Sequence, residues 1–111
     1  MGVTFKVYND ILIVNLKGEL DHHMARIVNE KLDEYLMQQT FKKILFNFKH
    51  VNFMDSSGVG MLIGRYKSFQ KIGGKVGAVN LGKQVRRIFE ISGLFNIIPC
   101  YNDEIEASEK M

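Results

Sequence analysis

The hydrophobic period of this chain changes abruptly at Phe53-Met54-Asp55-Ser56-Ser57-Gly58-Val59-Gly60. Upstream, Ile44-Leu45-Phe46-Asn47-Phe48 reads as a strand, and Val51 and Phe53 continue the apolar stretch. That strand is apolar on both faces, the pattern of a central strand covered by helices. Downstream, Val59, Leu62, Ile63, Tyr66 and Phe69 recur at helical spacing. A buried strand that passes straight into an amphipathic helix points to an α/β fold.

The rest of the chain fits that frame. Phe5–Tyr8 and Ile11–Leu16 flank the turn signal Asn9-Asp10 and read as a hairpin that Gly18 ends. Asp21 caps a first helix with the stripe Met24, Ile27, Val28, Leu32, Tyr35 and Leu36. The second helix runs from about Ser57 to Ile72, where Gly73-Gly74 stops it. A short strand over Lys75–Asn80, a helix over Lys83–Ile91 closed by Gly93, a short strand at Ile97-Ile98 and an acidic helix near 102–110 follow. Strands separated by helices pair in parallel through right-handed crossovers. The expectation is one domain over residues 1–111: a small mixed sheet of four or five strands, with helices mainly on one face.

Composition narrows the function classes. The net charge is +3, but the tail from Asp103 onward holds four acids and one base, so residues 1–102 carry +6. The bases are scattered and interleave with no aromatic ladder, so no nucleic-acid partner is expected. The lone Cys100 excludes an internal disulfide and suits a reducing compartment. No apolar run approaches the ~20 residues that span a bilayer, and the N-terminus lacks a signal-peptide layout. The expectation is a cytoplasmic protein with no membrane partner.

The Asp-Ser-Ser run has two readings. Asp, Ser and Ser before an apolar-periodic segment form an ordinary helix N-cap. The same position, with free backbone N–H groups and the positive end of the helix dipole, also suits a phosphate. On a helical wheel Ser57, Met61, Gly64 and Ser68 lie opposite the apolar stripe, flanked by Gly60 and Arg65. Glycine inside a helix costs about 1 kcal/mol relative to alanine. Two of them beside one exposed methionine make a smooth face suited to close approach by a second protein.

At this point the motifs resemble a known family. Phe53–Gly60 is similar to the signature of the STAS-domain anti-sigma factor antagonists. Gly18-Glu19-Leu20-Asp21-His22-His23 resembles the sporulation branch of that family, and Val85–Leu94 resembles its third conserved stretch. The resemblance implies a STAS fold and a non-enzymatic switch. In such proteins the second Ser of Asp-Ser-Ser-Gly, here Ser57, is phosphorylated by an anti-sigma factor that is itself a serine kinase with bound nucleotide. The unmodified form binds that kinase and releases the sigma factor; a serine phosphatase resets it. The partner surface implied here comprises Asp21, His22, Asp55, Ser56, Ser57, Gly58, Gly60, Met61 and Gly64.

Other constellations carry less. Gly77-Ala78-Val79-Asn80-Leu81-Gly82-Lys83-Gln84 has the spacing of a phosphate-cradling loop and misses it by one residue, Gln84, where Ser or Thr would hold Mg²⁺. It supports the alternative of a small nucleotide-binding or nucleotide-hydrolysing protein. His22-His23 beside Glu19 and Asp21 makes a poor metal site, because adjacent helical residues diverge. No cofactor or metal is expected. Asp55 has three readings: a cap, a hold on the Ser57 hydroxyl, or a charge that repels phosphate there. Arg86-Arg87 reads as a solvated basic face or a contact for an acidic partner.

Overall fold

The computed structural model describes residues 2–111. Strands β1 (Gly2–Tyr8) and β2 (Ile11–Leu20) form the hairpin, and helix α1 (His22–Gln38) follows. Then come β3 (Lys43–Met54), α2 (Ser56–Lys71), β4 (Lys75–Val79), α3 (Lys83–Ser92), a 3₁₀ turn (Leu94–Asn96), β5 (Cys100–Tyr101) and α4 (Glu104–Lys110). The five strands lie in sequence order. β1 pairs antiparallel with β2, and every later pair is parallel.

The side-chain alternation of the strands divides the interior into two layers. Leu12, Val14, Ile44, Phe46, Phe48, Val76 and Ala78 face the larger core, where they meet Val28, Leu32, Leu62, Phe69, Val85 and Phe89 from α1, α2 and α3. Phe48 and Phe89 meet edge-to-face at 5.7 Å between centroids. The intervening residues Ile11, Ile13, Leu45 and Val79 face the other side, where α4 covers them with Ala107 and Met111. Three helices thus share one face and the short α4 takes the other, in keeping with the expected mixed sheet.

Several boundaries depart from the sequence pattern. Gly18 does not end β2. The strand runs on to Leu20, with irregular register between Asn15 and Lys17 and again between Gly18 and Glu19. Gly18 has φ +114, which a side chain would resist, so the glycine bends the strand instead of stopping it. The last strand lies at Cys100–Tyr101, not at Ile97-Ile98. Ile98 is fully buried and follows the 3₁₀ turn; Pro99, which has no N–H, accepts from the Ala78 N–H through its carbonyl at 3.0 Å. Asn80, at φ 60, ends β4, and its side-chain amide donates to Asn47 Oδ1 at 2.9 Å. Asn47 in turn donates to Asn15 Oδ1 at 2.8 Å, so a row of amides fixes the turn that launches α3.

Helix α2 is rotated relative to the expected stripe. Met61 is 6% exposed, not an exposed surface residue, and Gly58 is buried with it. The reason is that α2 packs on two neighbours at once. Leu62 and Phe69 meet the core under the sheet, while Met61 and Arg65 turn toward α1. The glycines of α2 differ accordingly. A Cβ on Gly58 would stand 2.5 Å from Met54 Cγ and 3.0 Å from Leu20 Cγ, whereas one on Gly60 or Gly64 would meet nothing within 4 Å. Gly58→Ala is therefore expected to lose about 1–3 kcal/mol through overpacking. Gly64→Ala is expected to gain about 0.5–1 kcal/mol, because it removes helix-interior glycine entropy without a clash. Urea unfolding midpoints of the two variants check this; a shift in the same direction for both would contradict the packing.

Candidate functional site

The site begins where β2 and β3 end. Their pairing carries through to Leu20 opposite Met54, and the Asp55 N–H donates to the Leu20 carbonyl at 3.3 Å. Each strand then passes into a helix through one aspartate. Asp21 Oδ1 accepts from the Met24 N–H at 2.9 Å and caps α1. Asp55 Oδ1 accepts from the Ser57 N–H at 2.8 Å and caps α2. Of the three readings of Asp55, the cap is the one its hydrogen bond describes. Two helix N-termini therefore open side by side at the C-terminal ends of adjacent parallel strands, the usual place for sites in α/β sheets.

Ser57 is the second residue of α2, half-buried, on the wall of a groove between α1 and α2. The upper part of that groove is an open depression of about 430 Å³ bordered by His22, Arg26, Ser57, Gly60 and Met61, among others. It continues into a second depression of about 360 Å³ bordered by Gly60, Met61, Gly64 and Ser68. Met61 forms the buried floor, and the absence of side chains at Gly60 and Gly64 keeps the α2 wall low. Arg65, whose side chain is 12% exposed, spans the groove to α1. Its guanidinium donates to Asn29 Oδ1 at 2.8 and 3.0 Å and lies 2.7 Å from Asp33 Oδ1. This fork fixes the spacing of the two helices.

The structure brings together His22, Ser57, Gly60, Met61 and Gly64 along this groove. Asp21 and Asp55 cap the two helices that form it, but neither they nor the exposed Ser56 border its two depressions. Gly58 does not belong to that surface: its neighbours are Met54 and Leu20 in the core, so close packing accounts for it. Sequence reasoning missed the α1 wall, made by Arg26, Asn29 and Asp33 together with His22. Their spacing of four, three and four residues is a polar stripe at helical period, and it was available in the sequence.

The remaining candidates lie elsewhere. Gly77 sits inside β4 opposite Leu45, where a Cβ would stand 3.0 Å from the Tyr101 ring. Only Asn80, Leu81 and Gly82 connect β4 to α3. The first three residues of the motif are thus strand, which counts against a phosphate-wrapping loop there. Arg86 stacks over the Phe95 ring at 5.7 Å, and Arg87 borders a small hollow with Phe53 and Ile88. Burial pushes the Cys100 thiol up to about 11, partly offset by Arg86, so it is protonated at neutral pH. Among the described residues, no group of three or more His, Cys, Asp or Glu side chains is placed to hold a metal ion. No described helix is long and apolar enough to cross a membrane.

Comparison with known proteins places this geometry. The STAS domain family matches residues 3–107. The anti-sigma F factor antagonist of Paenibacillus polymyxa is 39% identical over 107 residues, covering 96% of this chain and 92% of that one. The anti-sigma-B factor antagonist of Bacillus subtilis is also 39% identical, over 90 residues, 81% of this chain and 80% of that one. Among solved structures, the anti-sigma factor antagonist SpoIIAA in its unphosphorylated form superposes with a TM-score of 0.83 at 30% identity, over 98% of this chain and 95% of that one. The Bacillus cell fate determinant SpoIIAA in its phosphorylated form gives 0.74 at 30% identity, over 98% of each. The chain belongs to the family of STAS-domain anti-sigma factor antagonists.

Proposed function

We propose that this protein is a phosphorylation-switched binding module for an anti-sigma factor serine kinase that carries its own nucleotide. The unmodified form binds that kinase through the α1–α2 groove and displaces a sporulation sigma factor, so that transcription proceeds. The observation that carries this reading is the place of Ser57. It is a half-buried hydroxyl in the first turn of α2, on the rim of a groove kept open by Gly60 and Gly64. The similarity to a relative solved in both phosphorylated and unphosphorylated forms supports it.

In the switching step, Ser57 Oγ attacks the γ-phosphorus of kinase-bound ATP. The bond from that phosphorus to the bridging oxygen breaks, ADP leaves, and the hydroxyl proton passes to a base of the kinase. Phosphorylation adds about 1.5 to 2 negative charges and three acceptor oxygens at the rim. The first turn of α2 tolerates that charge locally, because its dipole end is positive. At a docked interface the same charge is buried against the partner. A penalty of about 2.7 kcal/mol weakens binding about a hundredfold, and one misplaced buried charge supplies that much. No refolding is required. A serine phosphatase reverses the step in the cytoplasm. The ordinary Asp-to-amide cap of α2 needs no part in the chemistry.

Two measurements test this. Incubation with the cognate kinase and Mg-ATP should add one phosphate to the intact mass of the wild type and none to Ser57→Ala, while Ser57→Ala still binds the kinase. Loss of binding by a folded Ser57→Ala would count against the switch. Gly64→Arg places a long side chain in the groove where nothing else stands within 4 Å of a Cβ, so the fold is expected to survive. Its affinity for the kinase should fall by about tenfold or more by calorimetry. Unchanged affinity would mean that the groove is not the interface.

A further inference from the structure

Arg26 is exposed, and among the described residues it makes no ion pair. It borders the same depression as Ser57 and His22. Arg65, deeper in the groove, is already engaged by Asn29 and Asp33. The uncommitted cation of this groove is therefore at the Ser57 end.

Helix order sets how far it has to reach. α1 and α2 leave adjacent parallel strands and run side by side, and the contact of Arg65 with Asn29 fixes their levels. Ser57 stands about two turns before Arg65, and His22 about two turns before Asn29, at 3.6 residues per turn. Ser57 is thus level with His22, and Arg26 lies one turn further along. Helical side chains tend to lean toward the N-terminus of their own helix, which brings Ser57 within the sweep of the Arg26 side chain. Gly60 places no side chain between them.

The acids nearby compete weakly. Asp21 and Asp55 each give Oδ1 to a backbone amide, and Asp33 is paired with Arg65. Glu30 follows Arg26 by one turn, and a base placed before an acid is the poorer order for a helical ion pair. A phosphate monoester offers two charges and several acceptors to a planar guanidinium fork, a stronger match than one solvated carboxylate.

We propose that phosphate on Ser57 is held across the groove by the Arg26 guanidinium, with His22 beside it, so that the modified chain occupies its own partner-facing groove. This rests on the reading of Ser57 as the phosphorylated residue. Modification then acts twice. It adds charge at the rim, and it fills the upper depression with a group clasped by the chain itself.

The test installs phosphoserine at position 57 during translation, in the wild-type background and in Arg26→Gln, and follows the phosphate by ³¹P NMR across its second ionisation near pH 6. Arg26 is exposed, so its replacement is expected to leave the fold intact. A clasping cation favours the dianion, so the wild-type midpoint should lie about 0.3 pH unit or more below that of Arg26→Gln. A smaller difference, or one of opposite sign, overturns the clasp. The natural kinase takes no part in this measurement. Failure of Ser57 to accept phosphate from the kinase would thus sink the switch alone, and coincident midpoints would sink the clasp alone.

Discussion

The pairing of β2 with β3 out to Leu20 and Met54 is the constraint on which the rest of this structure depends. It sets two strand ends side by side, and the hydrogen bond from the Asp55 N–H to the Leu20 carbonyl keeps them there. Each aspartate that follows caps its helix, so α1 and α2 start at one level and run together. The groove between them exists because of that start. Gly58 completes the junction, since only a residue without Cβ lets the first turn of α2 approach Met54 and Leu20 so closely. A slip of one residue in the strand pairing would turn either Leu12 and Val14 or Ile44 and Phe46 away from the main core and offset the two caps. Fold and site are therefore fixed by the same register.

Much of this was legible in the sequence, for reasons that differ from element to element. β3 could be read because it is buried on both faces, and α2 because Asp55 precedes a clean change of period. Asp21 was recognisable as a cap because a short carboxylate before an apolar stripe is a common helix start, whereas the cap was one of three readings of Asp55 until its bond to the Ser57 N–H was seen. The rotation of α2 was not legible. A wheel assigns one apolar face, but α2 packs against both the sheet and α1, and the second contact draws in Met61 and Arg65. For the same reason the three glycines looked alike in sequence and divide in the structure into one of packing and two of open surface. The α1 wall of the groove escaped because polar residues at helical spacing usually mean a wet face. Only the neighbouring helix shows that His22, Arg26, Asn29 and Asp33 look onto something. The final strand was misplaced because Ile98 is apolar for the sake of the core, whereas the backbone pairing falls to Cys100 and Tyr101.

The groove joins a rigid part to an adjustable one. At its lower end Arg65 ties the helices through a nearly buried guanidinium with three hydrogen bonds to Asn29. Such a fork holds geometry more than it adds stability, because Asp33 is 64% exposed and a solvated ion pair contributes little. At its upper end no such hydrogen bond or ion pair among the described residues links Arg26 to α2; His22 is exposed and Ser57 half-buried. A surface of this kind can change its electrostatic character without moving its backbone. Charge placed at Ser57 meets a frame that Arg65 has already set.

On the proposed reading, this division explains why a small modification would suffice. Interfaces lose affinity steeply when a charge is left desolvated and unpaired, and only slightly when it stays in water. Ser57 lies between those limits. Free, it is on a rim open to solvent, beside a positive helix end and a loose arginine, where a phosphate is cheap to carry. In the proposed complex the same atoms would be enclosed by a partner shaped to the uncharged hydroxyl and the bare glycines beyond it. On that reading the energy difference would arise almost wholly in the complex, and the free protein would not be destabilised by being switched off. A site buried more deeply would resist the kinase, and one more exposed would not disturb docking. The half-buried second residue of a capped helix, at the edge of a glycine-lined groove, is placed as the proposed switch would require.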